Sequence, residues 1–416
     1  MKRHLTGVIA AGLTVALGVS ACGKGSSSSD GDGGGKTIKF VAAIYDDNTQ
    51  GYWDQLIKDF EAKNPGYKVQ LEMVDWTVMD GKVKTYVQTK QVPDVLNYNS
   101  FSDYARDGLI YKASEVVSPE VLGDFTPTFV EQAKYQGEQY ALPFISSARL
   151  LFYNKDLFKK AGITDAPKTW DEVKADAQKI KGSGAIGYGL PLGPEEAQAE
   201  FYSWAMNNGG GWVDASGKWA INQQANVDTL NYLRDLTKSG LTQPNPETTD
   251  RKKVFNQFAQ GRIGMAIGGP FTRAGFIDKV NKDLQYGIAP LPSKSGSEHN
   301  TLGVMDVLAA FKKDGGKNKE AVKKFLDFYY QKENTAKFLK LENFLPVTKS
   351  AGDALSADPY FKQFVDALPA SKFAPTTNPA WTAVAGAVKQ DLGSAVAGQE
   401  PKKVLDKIQQ TAEKSG

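Results

Sequence analysis

The sequence predicts an α/β protein with two lobes. Short β-rich runs alternate with helical periods between residues 37 and 98, in the βαβαβ order of a parallel sheet that helices cover. The chain has 416 residues, and the 395 that follow residue 21 exceed the length that a single hydrophobic core usually supports. Two lobes are therefore expected. Strand-like runs return after residue 185, so the α/β pattern continues along the chain.

The apolar pattern predicts the strands in chain order. A strand is predicted where β-branched and apolar residues cluster between helical periods or turn signals. The predicted strands are residues 37–45, 68–74, 94–98, 139–144, 150–153, 185–190, 263–267, 286–290 and 304–311.

Helical spacing fills the intervals between these strands. Trp53, Leu56 and Phe60 recur on one helical face, which predicts a helix between the first two strands. Thr169 and Glu172 have the spacing of a capping box, which predicts the start of another helix. From residue 318 to the end the pattern predicts almost only helices.

The chain begins with the three parts of an export signal. Lys2 and Arg3 give a positive start, residues 5–18 are apolar or small, and small residues precede Cys22. Residues 19–22, Val-Ser-Ala-Cys, resemble the lipobox of bacterial lipoproteins, in which the cysteine sulfur carries a diacylglycerol. We therefore expect residues 1–21 to be a signal peptide, Cys22 the lipidation site and residues 22–36 a flexible Gly/Ser tether. The folded part would be extracytoplasmic, anchored by lipid to the outer face of the cell membrane.

Two other interpretations of this segment stay open. An ordinary secretory signal with an incidental cysteine would give the same compartment without the lipid. A retained transmembrane helix is less favoured, because the fourteen residues 5–18 are fewer than the roughly 20 that span a hydrocarbon core.

Composition limits the classes of function. Without residues 1–21 the chain keeps 48 of its 50 basic side chains and all 47 acidic ones, so no nucleic-acid partner is expected. His299 is then the one histidine, and its loop position favours an exposed, non-catalytic residue. The G-x-G-x-x-G match at residues 182–187 follows a helix and precedes a strand, the reverse of a dinucleotide site. We predict no metal and no cofactor.

Several motifs point to one family. Residues 140–144 are Tyr-Ala-Leu-Pro-Phe and residues 149–157 are Arg-Leu-Leu-Phe-Tyr-Asn-Lys-Asp-Leu. Further matches follow in family order at residues 161–163, 167–172, 258–267, 269–271, 286–292 and 379–381, and in a closing helix from residue 401. The chain resembles the extracellular solute-binding proteins of bacterial ABC importers, the group that includes maltose-binding protein.

This resemblance implies a periplasmic-binding-protein-like fold, in which two α/β lobes close about a hinge on one solute. It places lobe one at residues 37–145 plus 303–350 and lobe two at residues 146–302 plus 351–416. It also implies that the closed form docks on ABC permease subunits served by a separate cytoplasmic ATPase. We expect the protein itself to be a monomer.

Polar residues follow the first three predicted strands. They are Asp46, Asp47 and Asn48 after the first strand, Trp76 after the second, and Asn99 and Ser100 after the third. Because ligands of open α/β sheets bind outside the carboxyl ends of the strands, we predict that these side chains contact the solute. Asp and Asn are also common turn residues, so each position alone is a weak signal.

In lobe two the candidate contacts come from the resemblance. They are Ser147, Arg149, Glu195, Glu196, Trp204, Trp212, Phe271 and Trp381. Relatives often carry an acidic residue near Ser147, so the hydroxyl pattern there departs from the family. Glu195 and Glu196 also fit a solvated helix start, and Phe271 also fits core packing.

Two further charged residues, Asp306 and Arg273, are candidate ligand contacts. Asp306 is the one polar residue in the apolar run 304–310, and a buried carboxylate needs either a structural partner or a ligand. Arg273 is a candidate partner for Asp306 or for the ligand.

The function predicted from these observations is capture of a carbohydrate in the cleft for an ABC importer, without chemistry on the sugar. A tethered extracellular glycoside hydrolase is the competing enzyme class, since carboxylates are plentiful. A receptor for a polyol phosphate or a polyamine is the third possibility. Phosphate would call for more cationic groups than Arg149 and Arg273, and a polyamine for more carboxylates.

Overall fold

The structure is a computed structural model that describes residues 36–355 and 358–415. The predicted signal peptide, Cys22 and all of the predicted tether before residue 36 lie outside the described residues. Within the described ranges no helix combines the length and the apolar character needed to cross a membrane.

The strands of the described chain form two main sheets and one short hairpin. They are β1 Thr37–Ile44, β2 Lys68–Asp75, β3 Val95–Tyr98, β4 Lys134–Tyr135, β5 Glu138–Gln139, β6 Leu142–Ala148, β7 Leu150–Asn154, β8 Ile186–Gly189, β9 Ile263–Gly268, β10 Tyr286–Ala289, β11 Thr301–Ala310 and β12 Ser371–Phe373. Every predicted strand overlaps an observed one. The predicted strand 139–144 is divided between β5, which pairs with β4 in the hairpin, and β6.

Helices cover these sheets. They are α1 Thr49–Lys63, α2 Trp76–Gln88, α3 Ser102–Arg106, α4 Ala113–Val116, α5 Pro119–Asp124, α6 Pro127–Gln132, α7 Lys155–Lys160, α8 Trp170–Gly182, α9 Ala197–Ala205, α10 Gln224–Lys238, α11 Arg251–Ala259, α12 Asp278–Asn281, α13 Lys319–Tyr329, α14 Lys332–Glu342, α15 Lys349–Leu355, α16 Pro359–Ala367, α17 Trp381–Asp391 and α18 Pro401–Ser415. A π-helical turn at Arg273–Ile277 leads into α12.

The first sheet has the strand order β12-β11-β3-β1-β2, with β6 also paired to β11. β1 runs parallel to β2 and to β3, so the predicted βαβαβ unit is confirmed. The carboxyl ends of these three strands therefore meet at one edge of the sheet. We call this sheet with its helices the first lobe.

The second sheet has the order β10-β7-β9-β8, and we call it with its helices the second lobe. β7 is antiparallel to β9 and β10, while β8 is parallel to β9. Helix α8 of this lobe begins as predicted, because Thr169 Oγ1 accepts a hydrogen bond from the Glu172 amide at 3.1 Å. The Glu172 carboxylate returns a bond to the Thr169 amide at 3.0 Å, which completes the capping box.

The chain passes between the sheets with almost no connecting residues. β6 belongs to the first sheet and β7 to the second, and Arg149 alone separates them. The segment after residue 318 is mainly helical as predicted, but β12 joins the first sheet beside the start of β11. Residues 371–373 thus pair with the first sheet although they lie inside the range assigned to lobe two. The lobe boundaries themselves stay a prediction.

Each lobe has an aromatic core. In the first lobe the rings of Phe40 and Trp53 lie 4.7 Å apart, centroid to centroid, and both side chains are fully buried. In the second lobe Trp170, Tyr188 and Trp204 form a similar group. Trp204 Nε1 donates to Glu200 Oε1 at 3.0 Å within this core. These cores fix the strand ends that carry the polar residues described next.

Candidate functional site

The strand ends of the first lobe face the second lobe across a cavity of about 780 Å³. From the first lobe the lining includes Tyr45, Asp46, Trp76, Asn99, Asp306 and Glu342. From β6, the crossing and the second lobe it includes Ser147, Arg149, Glu195, Glu196, Gln198, Arg251, Lys252, Phe271 and Lys389. We call this cavity the polar compartment.

A second cavity of about 570 Å³ adjoins the first. Its ring-bearing lining residues are Tyr202, Trp212, Phe373 and Trp381, and we call it the aromatic compartment. Asn99, Glu196, Gln198 and Val304 line both compartments, so the two adjoin in one cleft. Trp381 begins α17, where its ring lies 5.5 Å from Trp212 and is stacked on Trp219 at 6.5 Å with 13° between the planes.

Two arginines and two glutamates form a network in the wall of the polar compartment. Arg149 Nη2 lies 2.8 Å from Glu196 Oε1, and Arg251 pairs with the other oxygen of Glu196. Arg251 also binds Glu195, through Nη2 at 3.2 Å and through its backbone amide at 3.1 Å. Burial alone would raise the pKa of Glu196, but the two arginines hold that pKa below its usual value. The two arginines and the two glutamates therefore compensate one another.

Phe271 lies beside both arginines of this network. Its ring centroid is 5.0 Å from the guanidinium carbon of Arg149 and 5.2 Å from that of Arg251. Cations at this distance from an aromatic ring are attracted to it electrostatically. The ring therefore helps to fix the two guanidinium groups and also lines the compartment.

Two carboxyl groups of the polar compartment have no ion-pair partner among the described residues. Asp306 Oδ2 accepts a hydrogen bond from Tyr45 Oη at 2.7 Å. Glu342 Oε1 accepts one from Thr49 Oγ1 at 2.7 Å, and Glu342 also faces Asp46. Burial raises the pKa of Asp306 to about 7 and that of Glu342 to about 8. Both groups hold a proton at pH values where an exposed carboxyl would be ionised.

These raised pKa values predict that the protein is more stable at pH 5 than at pH 8. Burial also raises the pKa of Glu200, in the core, to about 7. The unfolded chain ionises these carboxyls near pH 4–4.5, so folded-state stability is fully present below that pH and is lost as the pH rises toward 7–8. We expect each of the three carboxyls to lower the free energy of unfolding by about 2–3 kcal/mol from pH 5 to pH 8, measured by urea denaturation. Glu200→Gln should reduce this fall, and an equal fall in that variant would contradict the assignment.

Three lysines of the second lobe pair with four aspartates of the first lobe. We call these contacts the cross-lobe ion pairs; they are Lys252–Asp75 at 2.7 Å, Lys279–Asp46 at 2.9 Å, Lys279–Asp47 at 3.4 Å and Lys389–Asp80 at 2.6 Å. Every cation comes from the second lobe and every anion from the first. A neutral contact accompanies them, since the hydroxyls of Ser100 and Thr382 lie 2.7 Å apart.

A sequence profile for bacterial extracellular solute-binding proteins matches residues 46–336. The chain belongs to this family. A protein of Brucella abortus named as a binding protein is 33% identical to it over 402 residues, which are 95% of each chain. The two lobes observed above are the two lobes of the periplasmic-binding fold, and the family comprises binding proteins rather than enzymes.

Other relatives differ in the ligand that their names carry. The diacetylchitobiose binding protein DasA of Streptomyces coelicolor is 27% identical over 423 residues, 96% of each chain. The sn-glycerol-3-phosphate-binding periplasmic protein UgpB of Rhizobium meliloti is 28% identical over 335 residues, 74% of this chain and 75% of that one. Among solved structures, maltose-bound MalE3 of T. maritima matches with a TM-score of 0.79 at 22% identity, over 91% of this chain and 99% of that one.

In this solute-binding protein eleven of the predicted site residues line the cleft. Asp46, Trp76, Asn99, Ser147, Arg149, Glu195, Glu196, Phe271 and Asp306 line the polar compartment, and Trp212 and Trp381 line the aromatic one. Their contact with a solute stays a prediction. Ser147 Oγ accepts a hydrogen bond from Arg149 Nη1 at 3.4 Å, so the hydroxyl partly serves the arginine network.

Five predicted site residues line neither compartment. Trp204 is buried in the second core with its indole nitrogen bound to Glu200, so it is a packing residue here. Arg273 stacks 3.7 Å from the ring centroid of Tyr360 and pairs with Asp358 at 3.0 Å, rather than with Asp306. Their side chains are thus used by the fold.

The other three are Asp47, Asn48 and Ser100. The Asp47 side chain is 96% exposed, and Asn48 is an exposed residue that precedes α1 and bonds Asp46. Ser100 is buried and its hydroxyl meets Thr382 of the second lobe. After β1 the first two residues, Tyr45 and Asp46, reach the cleft, whereas after β2 and β3 only the first residue does.

Several lining residues were not predicted from the sequence. In the polar compartment the polar ones are Tyr45, Gln198, Arg251, Lys252, Glu342 and Lys389. Arg251 and Lys252 begin α11 and Lys389 lies near the end of α17, where basic residues are typical of a solvated helix surface. Tyr45 directly follows the first strand, so the strand-end argument could have included it.

Proposed function

We propose that this protein captures an uncharged carbohydrate in the cleft and delivers it unaltered to the permease of an ABC importer. The observation that carries the proposal is that polar groups and aromatic rings line the cleft together. Acids, amides, guanidinium groups and the rings of Tyr45, Trp76 and three phenylalanines line the polar compartment, and four rings line the aromatic one. A sugar offers hydroxyls that donate and accept, together with flat C–H faces, so it complements both kinds of surface.

The charges of the polar compartment favour a neutral solute over a phosphate ester. Its four cations are already paired: Arg149 and Arg251 with the glutamates, Lys252 with Asp75 and Lys389 with Asp80. A phosphate would have to compete with carboxylates for each of them. The relative named for sn-glycerol-3-phosphate makes this ester the main competing ligand, and it belongs in the test.

We also propose that the folded part is held at the outer face of the membrane by lipid on Cys22 and acts as a monomer. The signal-like segment and the Val-Ser-Ala-Cys string support the anchor. Two or more acyl chains give stable anchoring, whereas one chain gives only marginal binding. Labelling of the chain with palmitate during expression tests this part separately.

A thermal-shift screen tests the carbohydrate proposal. The panel is glucose, maltose, laminaribiose, diacetylchitobiose and sn-glycerol-3-phosphate, each at 1 mM. A solute that binds only the folded state at about 100 times its Kd adds ~2.7 kcal/mol of stability, so we expect at least one sugar to raise the melting temperature by about 3–5 °C. A shift with the phosphate ester and with none of the sugars would overturn the proposal.

Two tryptophan variants supply matched controls. Trp381→Ala removes a ring that lines the aromatic compartment, and we expect it to reduce the sugar-induced shift strongly. Trp219→Ala removes the ring stacked on Trp381, which lines neither compartment, and should keep most of the shift. Chromatography of the same mixtures distinguishes a glycoside hydrolase, because cleavage products would contradict a receptor that releases its solute unaltered.

A further inference from the structure

Asp306 lies at a distortion of its strand. The pairing of β11 with β6 shifts register between Asp306 and Val307, so β11 carries a bulge at this point. Bulges occur next to functional sites, where they re-aim a side chain. Asp306 lines the polar compartment and is only 5% exposed. A buried carboxylate has thus been directed at the cleft from the middle of a central strand.

One oxygen of this carboxylate has no partner in the described part of the chain. Oδ2 is bonded to Tyr45 Oη, but Oδ1 receives no hydrogen bond and the side chain is in no ion pair there. The nearby cations Arg149 and Arg251 are bound to Glu196. Oδ1 is not among the sealed polar atoms that lack a partner, so it is open to the cleft and a donor from the solute can reach it.

The other acids of the compartment lack this property. Glu195 and Glu196 are held by arginines, and Asp46 is held by Lys279. Glu342 has no ion pair, but its carboxyl is directed at Thr49 and Asp46. Among the acids that line the polar compartment, Asp306 is therefore the one with an open acceptor and no cation.

We propose that Asp306 determines which solute the cleft accepts, because its Oδ1 receives a hydrogen bond from one hydroxyl of the bound sugar. This inference rests on the proposed function and adds the selecting residue to it. A hydroxyl bound to a carboxylate makes a short, charge-assisted hydrogen bond. A site built around such a bond rejects an analogue without the hydroxyl, since the buried acceptor then stays unpaired.

The inference makes solute binding depend on pH. Burial raises the pKa of Asp306 to about 7; the Tyr45 hydrogen bond, Arg149 and Arg251 oppose this rise, and Glu196 adds to it. A donated hydroxyl favours the ionised carboxylate, so binding to the neutral form releases a proton. A carboxyl with a pKa near 7 is about 10% ionised at pH 6 and about 90% at pH 8, so affinity should rise by roughly tenfold over that range.

The test is calorimetric titration at pH 6, 7 and 8. The probe is the sugar with the largest shift in the screen of glucose, maltose, laminaribiose and diacetylchitobiose. For Asp306→Asn we expect at least a tenfold loss of affinity at pH 8 and a flat pH profile. For Tyr45→Phe, which removes the donor to Oδ2, the pH at which affinity rises should shift upward.

Glu200→Gln is the matched control. Glu200 is also buried and its pKa is also raised to about 7, but it is bonded to Tyr188 and Trp204 in the core. We expect this variant to keep the affinity and the pH profile of the parent. If its profile also becomes flat, the pH dependence comes from general stability and the inference fails.

Monodeoxy analogues of the probe identify the hydroxyl. One analogue should bind the parent protein about as weakly as the intact sugar binds Asp306→Asn. The same analogue should bind Asp306→Asn with no further loss, because both changes remove the same hydrogen bond. A probe that binds Asp306→Asn with parental affinity and pH profile overturns this inference while the proposed function stands. If none of the four sugars binds, the proposed function and this inference both fail.

Discussion

Arg251→Met is expected to lower the free energy of unfolding by about 3–5 kcal/mol at pH 7, the cost of breaking a buried ion pair from one side. Arg251 binds both Glu195 and Glu196, and all three side chains are less than a fifth exposed. Methionine fills much of the same volume, so the loss measures the cost of leaving the two carboxylates without Arg251. Arg149 is then the remaining ion-pair partner in the network. Urea denaturation measures it.

The pH dependence of this loss gives a second readout. Without Arg251 the pKa of Glu196 is expected to rise, because Arg251 is one of the cations that lower it. The destabilisation should therefore be larger at pH 7 than at pH 4, where Glu196 can take up a proton. Arg106→Met is the matched control: its pair with Asp107 is about half exposed, and its removal should cost at most about 1 kcal/mol. Equal losses in the two variants would contradict the network described here.

The fold was largely predictable because its signals are local. A buried parallel strand such as β1 is a run of apolar and β-branched residues, and it can be recognised without knowing its neighbours. The capping box of Thr169 and Glu172 also lies within four residues. β12 was missed because it is three residues long and pairs with β11 from about 70 residues away in the chain.

The site was predictable only where a residue follows a strand or matches a family motif. Asp46, Trp76 and Asn99 reach the cleft because the parallel sheet brings its strand ends together. Arg251 and Glu342 lie on helices that tertiary packing brings to the cleft, and no pattern within their own segments shows this. Trp204 matches a family position but lies on a face of α9 that places its ring in the second core.

Reversing the three lysines of the cross-lobe ion pairs is expected to open the solute-free protein. The variant is Lys252→Glu, Lys279→Glu and Lys389→Glu combined. In each pair at least one side chain is about a third or more exposed, so each pair contributes about 0.2–1 kcal/mol and each reversal adds a repulsion of similar size. Together they should shift the balance between closed and open lobes by about 3 kcal/mol, or roughly a hundredfold. Small-angle X-ray scattering should show a larger radius of gyration than in the parent protein.

A second triple variant with the same change in net charge controls for general repulsion. The control combines Lys68→Glu, Lys362→Glu and Lys402→Glu. Each of these lysines pairs with an acid of its own lobe; the partners are Glu61, Asp366 and Asp406. The radius of this control should stay close to that of the parent. High salt should expand the parent in part, because the Debye length falls to about 3 Å at 1 M and weakens the same pairs. If both triple variants expand equally, the expansion comes from net charge and the cross-lobe ion pairs do not hold the lobes together. Expansion in the first variant alone means that aspartates of the first lobe and lysines of the second favour closure before any solute arrives.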